Sequence, residues 1–214
     1  MRAIGVIDYG MGNLHSLGKA LERVCSATRV EVSYDPEVLM KCDRIVLPGV
    51  GGVKACMNEL RRLELNEMVR EAARTKPLMG ICLGMQVMLD HSEENGGVDA
   101  LGIISGQVRR FPDPPPADPA DGPRLKVPHM GWNQVQQVND HPLWAGIDDN
   151  SRFYFVHSYC ATGVPDEQMA GRCEYGLAFA AAVAKRNVFA VQFHPEKSAD
   201  AGLKLLENFL RWQP

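Results

Sequence analysis

Short apolar runs alternate with amphipathic stretches through the first half of the chain. Residues 2–8, which are apolar between Arg2 and Asp8, are typical of a buried parallel strand, and apolar residues at helical spacing follow from Leu14 to Val24. The alternation continues with strand signals at 29–34, at 44–47 and around Leu78, and with an amphipathic stretch at 53–74 that breaks near Leu63. Strands that alternate with helices predict an α/β fold with a doubly wound, mostly parallel sheet, whose sites form at the carboxyl ends of its strands.

The second half of the chain has a different pattern. Its strand signals are short and have little helix between them, at 106–111, 133–138, 152–159, 177–184 and 188–193. We expect these to include additional antiparallel strands. A final helix is predicted from about 199 to 212, with Leu205, Leu206, Phe209 and Leu210 on one side.

Six of the 14 prolines lie between 112 and 123. Proline lacks the amide hydrogen that helices and central strands require, so 112–123 is predicted to be an exposed extended loop and not a linker between domains. A recognition ligand for a proline-binding partner is the alternative. With 214 residues, 45% of them hydrophobic, the chain is expected to form one domain over 1–214.

The charge balance and the cysteines narrow the class of protein. A net charge of −3 and a pI of about 6.1 give no electrostatic basis for binding nucleic acid or an anionic membrane surface. The sequence shows neither a long apolar segment nor a signal-peptide pattern, so a cytoplasmic location is expected. The six cysteines include no Cys-x-x-Cys pair. Their spacing therefore favours neither a metal site nor a disulfide framework.

Cys82 lies in the segment GICLGMQ (80–86), directly after the strand signal around Leu78. An apolar strand, a cysteine flanked by glycines and a helical pattern, in that order, predict a nucleophile elbow. The glycines permit the strained turn and leave space beside the nucleophile. The elbow also directs the first helical N–H groups, beginning with that of Leu83, toward a reacting carbonyl, where one such donor contributes roughly 100- to 1000-fold to catalysis.

A candidate base and an acid to orient it follow the last strand signal. Of the six histidines, His194 alone ends an alternating strand and precedes a proline, so it is the predicted base for the thiol proton of Cys82. Glu196 could reach the far ring nitrogen of His194, select its tautomer and stabilise the imidazolium. The alternative for Glu196 is a capping role at the final helix.

The glycine-rich loop PGVGG (48–52) follows the third predicted strand. Glycines let backbone N–H groups face a ligand, so Val50 and Gly51 are candidates for the second half of an oxyanion hole. An ordinary strand-to-helix turn is the alternative interpretation of this loop.

Several separated motifs resemble a known family. The segments GICLGMQ (80–86) and FHPEKS (193–198) resemble those of the class I, triad-type glutamine amidotransferases. Within that group, the glutaminase subunits of imidazole glycerol phosphate synthases, enzymes of histidine biosynthesis, are similar at DYGMGN (8–13), PGVG (48–51), PHMGWN (128–133) and YFVHSY (154–159). The resemblance runs nearly end to end. It is much more specific than a glycine-flanked cysteine, which recurs in proteases, deglycases and chaperone-like proteins.

The resemblance implies a reaction and a partner. Cys82 would form a thioester with L-glutamine, with His194 as base and Glu196 as the triad acid, and would release glutamate and ammonia without a metal or organic cofactor. The ammonia would pass within a heterodimer to a (β/α)₈-barrel cyclase subunit, which makes imidazole glycerol phosphate and aminoimidazole carboxamide ribotide. The chain has no phosphate-binding loop of its own, so another chain is needed to use the ammonia.

The resemblance also assigns residues to the substrate and to the partner. Substrate contacts are expected at Gly49, Gln86, Glu94, Ser158 and Tyr159. Partner contacts are expected at Asn13, His129, Met130, Trp132 and Lys197. Other roles stay open, since Glu94 and Ser158 could be ordinary polar surface residues and Trp132 a partly buried core residue. The peptide orientation at Val50 and Gly51 is expected to change when the partner is loaded with its ligand.

Three other functions make different predictions. A glutaminase subunit of another synthase, such as the one making anthranilate or the pyridoxal phosphate precursor, would share the triad but not PGVG or PHMGW. A non-catalytic, chaperone-like member of the fold would form no thioester and lose nothing on Cys82→Ala. A peptidase would turn over peptides without depending on a partner.

Overall fold

A computed structural model of the chain describes residues 3–24, 28–112 and 125–214. In chain order, the described strands are β1 Ala3–Ile7, β2 Arg29–Ser33, β3 Arg44–Leu47, β4 Leu78–Ile81, β5 His91–Ser92, β6 Val98–Asp99, β7 Gln107–Arg110, β8 His129–Gln134, β9 Gln136–Gln137, β10 Arg152–His157, β11 Tyr159–Thr162, β12 Met169–Glu174, β13 Ala178–Lys185 and β14 Val188–Val191. The described α-helices are α1 Leu14–Val24, α2 Pro36–Met40, α3 Val53–Arg62, α4 Leu65–Thr75, α5 Leu83–Gln86 and α6 Ala199–Arg211.

Five parallel strands form the part of the sheet that carries the site, in the order β2-β1-β3-β4-β14. Successive residues of these strands enter different hydrophobic clusters: Val46 of β3 belongs to one, and Ile45 and Leu47 belong to the other. Helices α1 and α6 pack into the first cluster, whereas α2, α3 and α4 pack into the second. Helices therefore cover both faces of the sheet, and the predicted doubly wound α/β architecture is confirmed.

The sheet continues beyond β14 with antiparallel strands, as the sequence predicted for the second half. Strand β13 pairs antiparallel with β14, β11 and β12, and β11 pairs antiparallel with β7. Strands β8 and β10 form a separate antiparallel ribbon.

Several strands differ from the sequence prediction: the short strands β5 and β6 were not predicted, and the segment predicted at 152–159 is divided between β10 and β11. The segment predicted at 133–138 is two strands, because β8 begins at His129 to pair along the whole of β10, while β9 pairs with β12. Strand β12 was not predicted: its sequence MAGRCE lacks a clear alternation, and its conformation is fixed by pairing with β13 through an irregular register.

The chain leaves the elbow helix sooner than the apolar pattern indicated. Helix α5 ends at Gln86, although Val87, Met88 and Leu89 continue the apolar run. The backbone carbonyls of these three residues accept hydrogen bonds from the segment 101–104, which lies across them. The break predicted near Leu63 is confirmed, since Glu64 has a positive φ of 58° between α3 and α4.

The proline-rich loop predicted at 112–123 lies, apart from Pro112, outside the described residues. Within the described parts of the chain, no helix has the length and apolarity that crossing a membrane would require.

Candidate active site

Cys82 occupies a strained turn between β4 and α5. Its backbone has φ 54° and ψ −109°, a conformation that side-chain-bearing residues rarely adopt. The backbone N–H of Cys82 donates to the carbonyl of Val191 at 2.8 Å, which ties the turn to the end of β14. The geometry of the turn is that of a nucleophile elbow.

The glycines beside Cys82 are required by space. A Cβ on Gly84 would lie 1.8 Å from the backbone oxygen of Leu47, and a Cβ on Gly80 would lie 2.9 Å from the Cβ of Ala190. Both distances are shorter than a van der Waals contact. The spacing Gly-x-Cys-x-Gly therefore lets α5 pack closely on the end of β3 and lets β4 pack closely beside β14.

His194 and Glu196 form a buried pair at the end of β14. Nδ1 of His194 lies 2.8 Å from Oε1 of Glu196, and both side chains are 4% exposed. Burial by itself lowers the pKa of His194, but interactions with the charged form of the Cys82 sulfur and with the Glu196 carboxylate outweigh it and raise the pKa from 6.5 to about 9. The Glu196 carboxylate therefore holds the imidazole at Nδ1, and both Glu196 and Cys82 favour its protonated form.

The backbone around His194 is fixed by three hydrogen bonds. Its N–H donates to the carbonyl of Tyr154 at 2.9 Å, and the Ser198 hydroxyl donates to its carbonyl at 2.6 Å. The N–H of Tyr154 in turn donates to the same hydroxyl at 2.9 Å. The ribbon strand β10 therefore holds the candidate base in place.

Two buried polar atoms of this pair have no hydrogen-bond partner among the described residues, Nε2 of His194 and Oε2 of Glu196. Buried polar atoms are rarely left unpaired in folded proteins, and a catalytic role is one of the recognised explanations. Ser198, which precedes α6, makes no side-chain capping bond with that helix, and Oε1 of Glu196 is directed to His194. The contacts of Glu196 thus favour an orienting acid over a helix cap.

The glycine-rich loop lies beside the elbow, and the side chain of Tyr9 holds it in place. The Tyr9 hydroxyl donates to the carbonyl of Pro48 at 2.8 Å, and a Cβ on Gly49 would come within 2.1 Å of that hydroxyl oxygen. Gly51 has a φ of +96°, which L side chains rarely adopt. The elbow supplies the other candidate donor: the N–H of Leu83 is the first of α5 and has no acceptor within the helix.

A cavity of about 410 Å³ opens above Cys82 and His194. Its lining includes the candidate oxyanion residues and four of the five residues predicted to contact substrate: Val50, Gly51, Leu83, Gln86, Glu94, Ser158 and Tyr159. Gly49, the fifth, packs instead against the Tyr9 hydroxyl behind the loop. The volume and the mixed lining suit a small polar molecule.

The side chains of two of the predicted substrate residues already make hydrogen bonds with the protein. Both amide hydrogens of Gln86 are used, because its Nε2 donates to the carbonyl of Tyr159 at 3.0 Å and to Oε1 of Gln192 at 2.9 Å. Oε2 of Glu94 accepts from the backbone N–H of Val53 at 2.6 Å, at the start of α3. Gln86 therefore offers a ligand only its carbonyl oxygen, and Glu94 also secures the end of the glycine-rich loop.

Three site residues were not recognised from the sequence. Tyr9 supports the glycine-rich loop, Gln192 contacts the nucleophile, and His157 lines the cavity. Gln192 carried a usable signal, since a polar residue at the buried end of an apolar strand needs a partner. The contacts of Tyr9 and His157 depend on distant segments and left no local signal.

His129 and His157 form a buried chain of hydrogen bonds. Nδ1 of His157 donates to the carbonyl of Tyr159 at 2.8 Å, so its Nε2 accepts from Nδ1 of His129 at 2.9 Å. Asn133 lies 3.2 Å from the remaining nitrogen of His129. Burial lowers the pKa of His129 to about 3 and that of His157 to about 4, so both rings are neutral at pH 7.

The position of His129 corrects one prediction. It was expected at an interface, but its side chain is only 2% exposed and stacks between Phe155 and Tyr175. Strand alternation explains this, because His129 faces inward from β8 whereas Met130 and Trp132 are 62% and 45% exposed. The exposure of Trp132 also decides against a core role for it in this chain.

The other two residues predicted to contact a partner lie at the surface. The ammonium of Lys197 lies 5.8 Å from the ring centre of Tyr154, which in turn packs edge-on against Trp132. Asn13 is exposed and caps α1, with its Oδ1 accepting from the N–H of Ser16 at 3.3 Å. Among the described residues, no group of three or more His, Cys, Asp and Glu side chains is arranged to hold a metal ion.

Comparisons with known proteins agree with this geometry. A family model described as glutamine amidotransferase class-I matches residues 5–212. The imidazole glycerol phosphate synthase subunit HisH of Pseudomonas putida is 54% identical over 212 residues, which cover 99% of this chain and 98% of the relative. The subunit of that name from Aromatoleum aromaticum is 53% identical over 214 residues, 100% of both chains.

Solved structures show the same fold at low identity. PurLQS from Thermotoga maritima superposes with a TM-score of 0.73 at 18% identity, over 98% of both chains. A glutamine amidotransferase from the same organism gives a TM-score of 0.62 at 16% identity, over 98% of this chain and 96% of that one. The family model over residues 5–212 and the identity to the two HisH subunits show that the chain belongs to the class I glutamine amidotransferases and, within that class, to the HisH family.

Proposed function

We propose that this protein hydrolyses L-glutamine to glutamate and ammonia and delivers the ammonia to a cyclase subunit of imidazole glycerol phosphate synthase. The observation that carries the proposal is the placement of Cys82, on a strained elbow, beside a buried His194–Glu196 pair at the floor of a cavity of about 410 Å³. No metal or organic cofactor takes part in the proposed chemistry.

In the first half of the reaction, Sγ of Cys82 attacks the side-chain carbonyl carbon of glutamine. His194 holds the thiol proton as imidazolium, which its raised pKa of about 9 favours at neutral pH. The N–H of Leu83, with that of Val50 or Gly51, receives the oxyanion. His194 then gives its proton to the departing nitrogen, the carbon–nitrogen bond breaks, and ammonia leaves a glutamyl thioester on Cys82.

In the second half, a water molecule replaces ammonia. Neutral His194 accepts a proton from the water as its oxygen attacks the thioester carbonyl, and the carbon–sulfur bond then breaks to release glutamate. Glu196 holds Nδ1–H throughout, so Nε2 is the atom that exchanges protons. For the glutamyl part of the substrate, we assign Gln86, Glu94, Ser158 and Tyr159 as contacts.

The decisive experiment measures glutamate release by the chain alone and with a cognate cyclase barrel carrying its nucleotide ligand. Strong activity only in the loaded complex, and none with Cys82→Ala, is the expected result. Activity that survives Cys82→Ala would refute the thioester. Activity that is indifferent to the barrel, or is obtained with the partner of another synthase, would refute the assignment to the histidine pathway.

We propose that the partner, a (β/α)₈ barrel, covers the exposed face formed by Met130, Trp132, Tyr154 and Lys197, with Asn13 as a further contact. The face borders the cavity, because Val156 lines the cavity and pairs with Met130 across the β8–β10 ribbon. Exposed aromatic and methionine side chains are enriched at interfaces. An ammonia molecule formed at Cys82 could then leave beneath the partner.

A pair of variants tests this face. Trp132→Ala should weaken the complex by at least tenfold in Kd, because buried aromatic anchors dominate interface energies. Tyr34→Ala is the matched control, since Tyr34 is an exposed aromatic residue just beyond the other end of the sheet, after β2. Equal affinity for the Trp132→Ala and Tyr34→Ala variants, measured by calorimetry with the barrel, would refute the proposed face.

A further inference from the structure

We propose that Gln192 is a positioning residue for the nucleophile, whose side-chain amide N–H holds the Cys82 sulfur and stabilises its thiolate. Nε2 of Gln192 lies 3.7 Å from Sγ of Cys82, a hydrogen-bonding distance for sulfur. Gln192 is fully buried. The inference rests on the proposed function, because it assigns Gln192 a role in the attack by Cys82.

The orientation of the Gln192 amide follows from its neighbours. The carbonyl of Tyr159 can only accept a hydrogen bond, so the atom of Gln86 that faces it must be the donor Nε2. The second hydrogen of that Nε2 points to Gln192, which must present its oxygen there. The donor end of Gln192 is therefore turned toward sulfur, and a flipped amide would oppose two donors.

The other partners in this series of hydrogen bonds are also fixed. The carbonyl of Tyr159 accepts a second hydrogen bond, from Nδ1 of His157, and His157 is held in turn by His129. The backbone N–H of Gln192 donates to the carbonyl of Ala181 at 2.8 Å, which anchors β14 to β13. Both the backbone and the side chain of Gln192 are thus constrained before any substrate binds.

The neutral amide of Gln192 complements the charged imidazolium of His194. His194 must surrender its proton to ammonia during the reaction, whereas the amide of Gln192 does not titrate and keeps donating. Its hydrogen bond favours the charged sulfur both before the attack and again when the thioester breaks. Because the site is buried, a hydrogen bond to a charged group contributes more there than in water.

Two substitutions separate this role from packing. Gln192→Met keeps the length of the side chain and removes the donor. Gln192→Glu keeps the oxygen that accepts from Gln86 but places a carboxylate oxygen toward the sulfur. Val188→Ala, on the same buried strand and away from the cavity, controls for general loosening of β14.

The readout is the pH dependence of Cys82 alkylation by iodoacetamide, followed by peptide mass spectrometry on the isolated chain. We expect the pH of half-maximal labelling to rise by about one unit in Gln192→Met. Gln192→Glu should shift it further, since a second negative charge opposes the thiolate. In the loaded complex, kcat should fall about tenfold while KM changes less than threefold.

An unchanged labelling profile in both folded variants, or a loss confined to KM, would overturn the proposal. A shift of the same size in Val188→Ala would also overturn it, because the effect would then be one of packing. If Gln192→Met does not fold, Gln192→Leu, which also lacks a donor and carries no charge, is measured by the same labelling curve. Labelling needs no glutamine turnover, so a failure of the proposed function in the Cys82→Ala assay is distinguishable from a failure here.

Discussion

The buried His194–Glu196 pair makes Glu196→Gln the most informative substitution. Glutamine has nearly the same shape as glutamate and can still place an oxygen near Nδ1 of His194, but it carries no charge. The substitution therefore tests whether the charge of Glu196 supports the protonated base. A role confined to shape or to helix capping would be preserved by the change.

The magnitude follows from the state of His194. A rise in its pKa from 6.5 to about 9 favours the imidazolium by about 3 kcal/mol, with Cys82 and Glu196 as the two groups that raise it and burial acting against them. If each group supplies about half, removing the charge of Glu196 lowers the protonation constant of His194 by about tenfold. Loss of tautomer control adds to this, so kcat/KM should fall by about 100-fold.

The assay is glutamate release in the loaded complex across pH 5 to 10, beside urea unfolding of the free chain. Since the folded pKa of His194 lies above its unfolded value, the pair stabilises the fold fully below pH 6.5 and loses that contribution as pH rises through about 9. The stability deficit of Glu196→Gln should thus shrink above pH 9. A variant within threefold of wild type, with an unchanged pH profile, would refute this reasoning.

Three further predictions concern the elbow, the glycine-rich loop and the buried histidines. Gly84→Ala should abolish activity and reduce soluble yield, because its Cβ would lie 1.8 Å from a backbone oxygen; a folded, active variant would contradict this. Tyr9→Phe removes the donor to the Pro48 carbonyl and should lower the free energy of unfolding by about 1–2 kcal/mol in urea titrations. His129 and His157 have pKa values lowered to about 3 and about 4, so stability should fall as pH drops from 6.5 toward 4, by up to about 1.4 kcal/mol per pH unit for each. His157→Asn should flatten that slope; an unchanged slope would show that these rings are not the groups that titrate.

The sequence predicted the parallel half of the sheet and the elbow because their signals are local. An unbroken apolar run and a glycine-flanked cysteine need no knowledge of distant partners, and the break near Leu63 is likewise visible in the periodicity. The triad could be proposed because His194 and Glu196 are near in sequence and follow a clear strand.

The remaining features depend on contacts across the fold. Strand β12 becomes a strand by pairing with β13, and α5 stops at Gln86 because a segment more than a dozen residues later crosses the apolar run. The inward side of His129 was invisible because the register of β8 is set by β10. The use of both amide hydrogens of Gln86 depends on Tyr159 and Gln192, which are distant in sequence, so it could not be anticipated.

The hydrogen bond from Cys82 to Val191 has a consequence for how the protein is made. The elbow and its base reach one another only when β14 docks beside β4, although more than 100 residues separate the two strands along the chain. Such long-range pairing forms late, after most of the chain is available. A growing polypeptide that ends before β14 carries the thiol without its base and without the bond that fixes the turn. An incomplete chain therefore does not hydrolyse glutamine, and the activity arises only when the sheet is complete.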